Sequence, residues 1–179
     1  ETIILDKGEV FISPLDLNVE NGAIEQPIKP MIRLGTPIYS QKGEKIGVLL
    51  LNYLAQNLLN KVSHAMDYQA QTLSLLNAQG YWLKHPNTER TWGFMYNNNE
   101  RFQKYYPAVW SQITTQEEGQ ITTEEGVFTF ASTYPIHESL PVHRHAISGN
   151  DHHGLSIEGY VWKIVSFIPN EQLKILQQN

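Results

Sequence analysis

The chain has 179 residues, 41% of them hydrophobic, and a formal net charge of −5. That length can bury one sizeable core or two small ones, and an acidic balance without any basic run argues against nucleic acid or an anionic membrane surface as a partner. There is no cysteine, which excludes thiolate metal sites and cysteine nucleophiles and leaves the redox compartment open.

Residues 2–5 and 9–13 flank Asp6-Lys7-Gly8 and read as a β-hairpin. A strand entered at once after Glu1, with no Met and no leader, leads us to expect further sequence upstream. Pro14 ends the second strand. Residues 16–30 then carry Asn18, Asn21-Gly22, Pro27 and Pro30 without periodicity, an ordered loop of a length uncommon unless it serves a function. Residues 31–39 and 45–52 form the next hairpin, turned through 40–44 with Gly43. Pro37 would remove a ladder bond, which places its strand at an edge or bulges it there.

The run IGVLLL at 46–51 is too short for a helix and suits a buried strand inside a sheet. Its longest unbroken apolar stretch, 48–51, falls far short of the roughly 18–20 residues that span a bilayer. From Tyr53 the period changes: Leu54, Leu58, Val62 and Met66 recur every four residues, the stripe of an amphipathic helix. A third hairpin joins 72–77 to 81–85 through 78–80. Phe102, Tyr105, Tyr106, Val109, Trp110 and Ile113 share a helical face that Pro107 must interrupt, so one short helix ends near Tyr106 and another starts at Pro107. Residues 120–123 and 127–135 pair through Glu124-Glu125-Gly126, with Phe128, Phe130, Ser132 and Tyr134 on one face. After an aperiodic stretch, 136–156, a last strand at 159–169 runs into the helical NEQLKILQQN. The strand-to-helix order at 45–66 thus returns at the C-terminus. The chain reads as parts of two similar α+β modules with antiparallel sheets, joined by a helix centred on Leu58.

The aperiodic stretch holds His137, His143, His145, His152 and His153, yet a metal site needs ligands converging from rigid elements, and no HExxH spacing occurs. A solvated loop is the preferred reading. Glu117-Glu118 and Glu124-Glu125 sit on one hairpin, where neighbours point to opposite faces, so they do not form a paired-carboxylate site. No serine lies in a G-x-S-x-G context and no phosphate loop is present, so we expect no enzyme activity, no metal and no cofactor. The aromatics clustered between Tyr81 and Trp110 could line a ligand pocket, and core packing is the preferred reading for most of them. Arg33 stands mid-strand among apolar residues and requires a carboxylate partner, Asp16 or Glu25, or an anionic ligand.

The strings VFISPLDLNVENGAIEQPIKPMIRLGTPIY, KGEKIGVLLLNYLAQNLL, LLNAQGYWLKHP, WGFM, YYPAVW, GVFTFASTYPI and EGYVWKIVSFIP, in this order, resemble the double Cache sensor domains, a PAS-like family. The resemblance covers nearly the whole chain. It implies PAS-like antiparallel sheets flanked by helices, with residues 1–62 as the C-terminal half of a membrane-distal module and 63–179 as the membrane-proximal one. It also implies an extracytoplasmic, periplasmic domain that senses a small molecule and signals across the membrane to a histidine kinase or diguanylate cyclase. The parent would be membrane-anchored, and the resemblance admits its homodimerisation. In members that bind amino acids an acidic residue follows the strand similar to GVLLLNYL; the matching position here is Asn52, and an amide does not neutralise an ammonium as a carboxylate does. The ligand set implied by the family is Asp16, Asn18, Arg33, Thr36 and Asn52. The rival reading is a small periplasmic metal-binding protein or enzyme using the histidine-rich loop.

Overall fold

The computed structural model describes residues 2–65, 72–134 and 160–176, which group into two compact units, 2–57 with Tyr160 and 58–134 with 161–176. The histidine-rich stretch lies outside the described residues, as do Met66 and the last three residues.

The first unit is organised on β5 (Pro30–Tyr39), which pairs along its length with β6 (Lys45–Leu54) and on its other edge with β1 (Phe11–Ile12) and β2 (Asp16–Leu17), all antiparallel. The expected turn between β5 and β6 closes with Gly43 at φ 83° and Ser40 donating to the Glu44 carbonyl at 2.8 Å. Arg33 bonds Ser13 on one side, its carbonyl accepting the Ser13 N–H and its own N–H donating to Ser13 Oγ, whereas the Pro30 carbonyl accepts from the Ala55 N–H just beyond β6. Even-numbered residues of β5 therefore bond toward β6 and odd-numbered ones toward β1 and β2. This explains Pro37. Its strand is internal, not an edge, but its missing N–H faces the β1 side past the last paired residue, Gly35, and the ladder turns irregular just after it, between Ile38 and Tyr39.

Four expectations fail in this unit. Residues 2–5 do not form a strand: Thr2–Ile4 is a 3-10 turn, and the buried Glu9 carboxylate accepts the Asp6 N–H at 2.6 Å, taking the donor a hairpin would need. The segment 16–30 is not free of elements. Besides β2 it holds β3 (Val19–Glu20) and β4 (Ala23–Ile24), a two-residue hairpin turned by Asn21 and Gly22 at φ 52° and 79°. The apolar β6 is not buried inside its sheet. It pairs only with β5 among the described strands, and Leu50 and Leu51 are 63% and 60% exposed. Apolarity sets what a strand gains from burial, but its neighbours decide whether it is buried. The strand also runs on to Leu54, and the helix α1 (Gln56–Ala65) begins after the buried Ala55.

The second unit is a five-stranded antiparallel sheet of β7 (Thr72–Asn77), β8 (Trp82–Lys84), β9 (Glu118–Thr122), β10 (Gly126–Thr133) and β11 (Trp162–Pro169), in the order β8-β7-β11-β10-β9. The last strand in the chain is the central one. As the position of Pro107 predicts, α2 (Phe102–Tyr105) and α3 (Pro107–Ile113) are separate helices with proline in the first turn of the second. They cover the face from which Phe128, Phe130 and Val165 project, and Trp82, Phe102, Val109 and Ile113 complete the core. Phe128 stacks on Phe167 at 4.4 Å and meets Tyr106 at 4.9 Å. The helix α4 (Asn170–Leu176) follows β11 directly. No helix among the described residues is long and apolar enough to cross a membrane.

Phe128→Ala is expected to lower the stability of the second unit by about 3–5 kcal/mol, read from denaturant titration. A second expectation concerns His85, whose Nδ1 accepts the Asn87 N–H at 3.0 Å while the ring lies edge-on to Trp82. Burial, aided by the charge of Arg90, holds its pKa below the ordinary value. The unfolded chain therefore takes up this proton first. The stability from His85 is complete above about pH 6.5 and is lost as pH falls through the folded pKa. The drop in Tm between pH 7.5 and 5.5 should be smaller in His85→Asn.

Candidate functional site

Four of the five expected ligand residues share one face of the first unit's sheet. Met31 and Arg33 lie two apart on β5; Asp16 is the register partner of Met31, and Asn52 that of Arg33. Since partners across an antiparallel pair project to the same side, Asp16, Arg33 and Asn52 face one way. Arg33 Nη1 donates to Asp16 Oδ1 at 2.6 Å, and Nη2 to Asn18 Oδ1 at 3.3 Å. Thr36 stands an odd number of residues from Arg33 and projects to the opposite face, where its hydroxyl donates to the Glu9 carbonyl at 2.8 Å. The structure does not bring it to the cluster.

The cluster extends outward through Asn18, whose Nδ2 donates to Glu25 Oε2 at 2.9 Å, and Glu25 in turn pairs with Lys29. The bonds from Lys29 and then Asn18 hold the Glu25 carboxyl below its ordinary pKa. The two candidate partners of Arg33 thus separate: Asp16 takes the guanidinium directly, and Glu25 acts on it through Asn18. Buried Ser13 fixes the backbone beneath, its Oγ accepting the Arg33 N–H at 2.8 Å. Tyr160 is buried near Asp16, and burial, then the Asp16 charge, raises its phenol above the ordinary range.

Ser13 and Tyr160 were missed by sequence reasoning. Ser13 is detectable only once its pairing with β5 is known, and Tyr160 lies in another part of the chain with no local signal. Among the described residues no group of three His, Asp or Glu side chains could hold a metal; the five loop histidines lie outside them. Chemically Asp16, Asn18, Arg33 and Asn52 offer a planar fork of donors, one carboxylate and two side-chain amides.

The Arg33 and Asp16 side chains are 30% and 28% exposed. A pair this open to water contributes about 1 kcal/mol or less. Arg33→Ala should therefore shift the unfolding free energy of the first unit by no more than that in a denaturant titration.

A family model described as bacterial histidine kinase, sensor domain, matches residues 3–143. No curated protein sequence matches the chain. Among solved structures, the chain is similar to the extracellular domain of a histidine kinase, vpHK1S-Z8, with TM-score 0.71 and 18% identity over 98% of this chain and 56% of that one. It is similar to a domain of a sensory box/GGDEF family protein from Vibrio parahaemolyticus, with TM-score 0.69 and 20% identity over 96% and 57%. The ligand-binding domain of Mlp24, solved with asparagine, gives TM-score 0.53 and 15% identity over 96% and 55%. At these identities the likeness is one of fold, and the chain spans little more than half of each of these structures.

Proposed function

Because the chain belongs to the bacterial histidine kinase sensor-domain family, we propose that it binds a small molecule outside the cytoplasm, in the periplasm, at the face formed by Asp16, Asn18, Arg33 and Asn52. The observation that carries this is the fork of Arg33, aimed along a sheet face by Ser13 and oriented by Asp16 and Asn18, a costly arrangement to keep for the small stability it supplies. The described residues hold neither a nucleophile with a base nor a phosphate loop, so on this reading the chain signals without chemistry of its own. Its output domain, a histidine kinase or a diguanylate cyclase, would lie elsewhere in a membrane-anchored parent that can act as a homodimer.

The open edge of β6 supports a tandem arrangement. In the second unit β11 lies between β10 and β7, whereas β6, the strand that likewise precedes a helix, has β5 on one side and no described strand on the other. On this reading a strand from elsewhere in the parent completes the first sheet and covers its exposed leucines. Transmission would run through β11, the central strand of the second unit, directly into α4.

In the full-length parent, Arg33→Ala should weaken the response to stimulus about tenfold or more, the loss expected for a charge-assisted hydrogen bond. Leu173→Pro in α4 should uncouple stimulus from output. If both variants respond as the parent does, the reading is wrong.

A further inference from the structure

The turn between β9 and β10 touches the start of α4 at two points. The Asn170 N–H donates to the Glu125 carbonyl at 3.0 Å, and Asn170 Nδ2 donates to the Glu124 carbonyl at 2.7 Å. The turn is itself locked: Thr123 Oγ1 accepts from the N–H groups of Glu125 and Gly126 at 3.2 and 3.3 Å and donates to the Gly126 carbonyl at 3.0 Å. Gly126 pairs with Pro169, and a Cβ on it would lie 2.2 Å from the Ile168 carbonyl oxygen and 2.9 Å from Pro169 Cα. The hairpin tip therefore sits directly on the junction where β11 becomes α4. At that junction Pro169 stands opposite Gly126 at a position whose N–H would face away from β10, so its lack of one costs this pair nothing, and the next donor toward β10, on Asn170, is one that a helix cannot satisfy internally and that continues the register to Glu125.

We infer that the β9–β10 turn is a latch on α4: its two carbonyls hold Asn170, so that the helix continues rigidly from the central strand, and their release lets it pivot. A seven-residue helix is too short to be stable by itself and takes its order from such anchors. The role assigned to this latch rests on the transmission reading above, but its existence is testable without it.

The discriminating variants are Asn170→Ala and Asn170→Asp, because both favour α4 by local criteria: alanine is the better helix former, and aspartate suits the positive end of a helix. Both remove the side-chain donor, and aspartate sets a negative charge against the Glu124 carbonyl oxygen. Amide hydrogen exchange on the complete chain reads the outcome. If the turn is a latch, the amides of Lys174, Ile175 and Leu176 exchange about fivefold faster or more, while those of β9, β10 and β11 keep their protection. Unchanged or slower exchange in α4 overturns the latch. Loss of protection throughout the sheet overturns it too, since Asn170 would then support the fold and not the junction. The measurement needs neither ligand nor output domain, so its failure leaves the sensor reading standing, and an unchanged response in the parent leaves the latch standing.

Discussion

The first unit depends on the way β5 divides its hydrogen bonds. Its even-numbered residues bond toward β6 and its odd-numbered ones toward β1 and β2, and Ser13 secures this at Arg33 with both backbone and hydroxyl. A slip of one residue would send Arg33 to the face now held by Thr36 and separate it from Asp16. Register is thus what makes the polar cluster possible. It also explains why Pro37 is tolerated inside an internal strand and why Asn52, on a different strand, faces the same space as Arg33.

The second unit uses the same succession of long strand and helix to a different end. There the sheet face beneath α2 and α3 is filled by Phe128, Phe130, Phe102 and Trp82, with Phe167 and Tyr106 packed at the border. A face occupied by aromatic rings at stacking distance is stiff, because interiors packed at this density transmit displacement instead of absorbing it. The first unit instead carries a partly exposed polar cluster, with the Arg33 and Asp16 side chains about a third open to water.

Much of this was legible locally. The β5–β6, β7–β8 and β9–β10 hairpins, the break at Pro107 and the passage from β11 to α4 all follow from period changes and turn residues within a short window of sequence. The failures have separate causes. Thr2–Ile4 has strand-forming composition, but the Glu9 side chain diverts its backbone, an effect that no propensity contains. The Asn21-Gly22 turn carried a strong hairpin signal that the surrounding prolines and asparagines obscured. Burial of β6 depended on neighbours, which composition does not name. In the candidate site, the need of Arg33 for a partner was legible from charge alone, and Asp16 meets it. The loss of Thr36 to the other face was already implicit in strand alternation, since it stands an odd number of residues from Arg33. The presence of Tyr160 was not, because only the tertiary fold brings it to Asp16.

On the proposed reading, the Arg33–Asp16 pair also limits how a ligand can act. Its guanidinium is already held by a carboxylate and an amide oxygen, so an incoming acceptor must share the fork with Asp16 or displace it. Sharing leaves the loop carrying Asp16 and Asn18 in place and changes little beyond occupancy. Displacement frees Asp16, on β2, and loosens Asn18, which remains tied to Glu25 and through it to Lys29. A ligand shifts a conformational equilibrium only by its difference in affinity between two states. A pair that contributes little to stability is easily exchanged, so most of the binding free energy of a displacing ligand is available to move the loop. A stronger, fully buried pair would hold Arg33 more firmly and respond less.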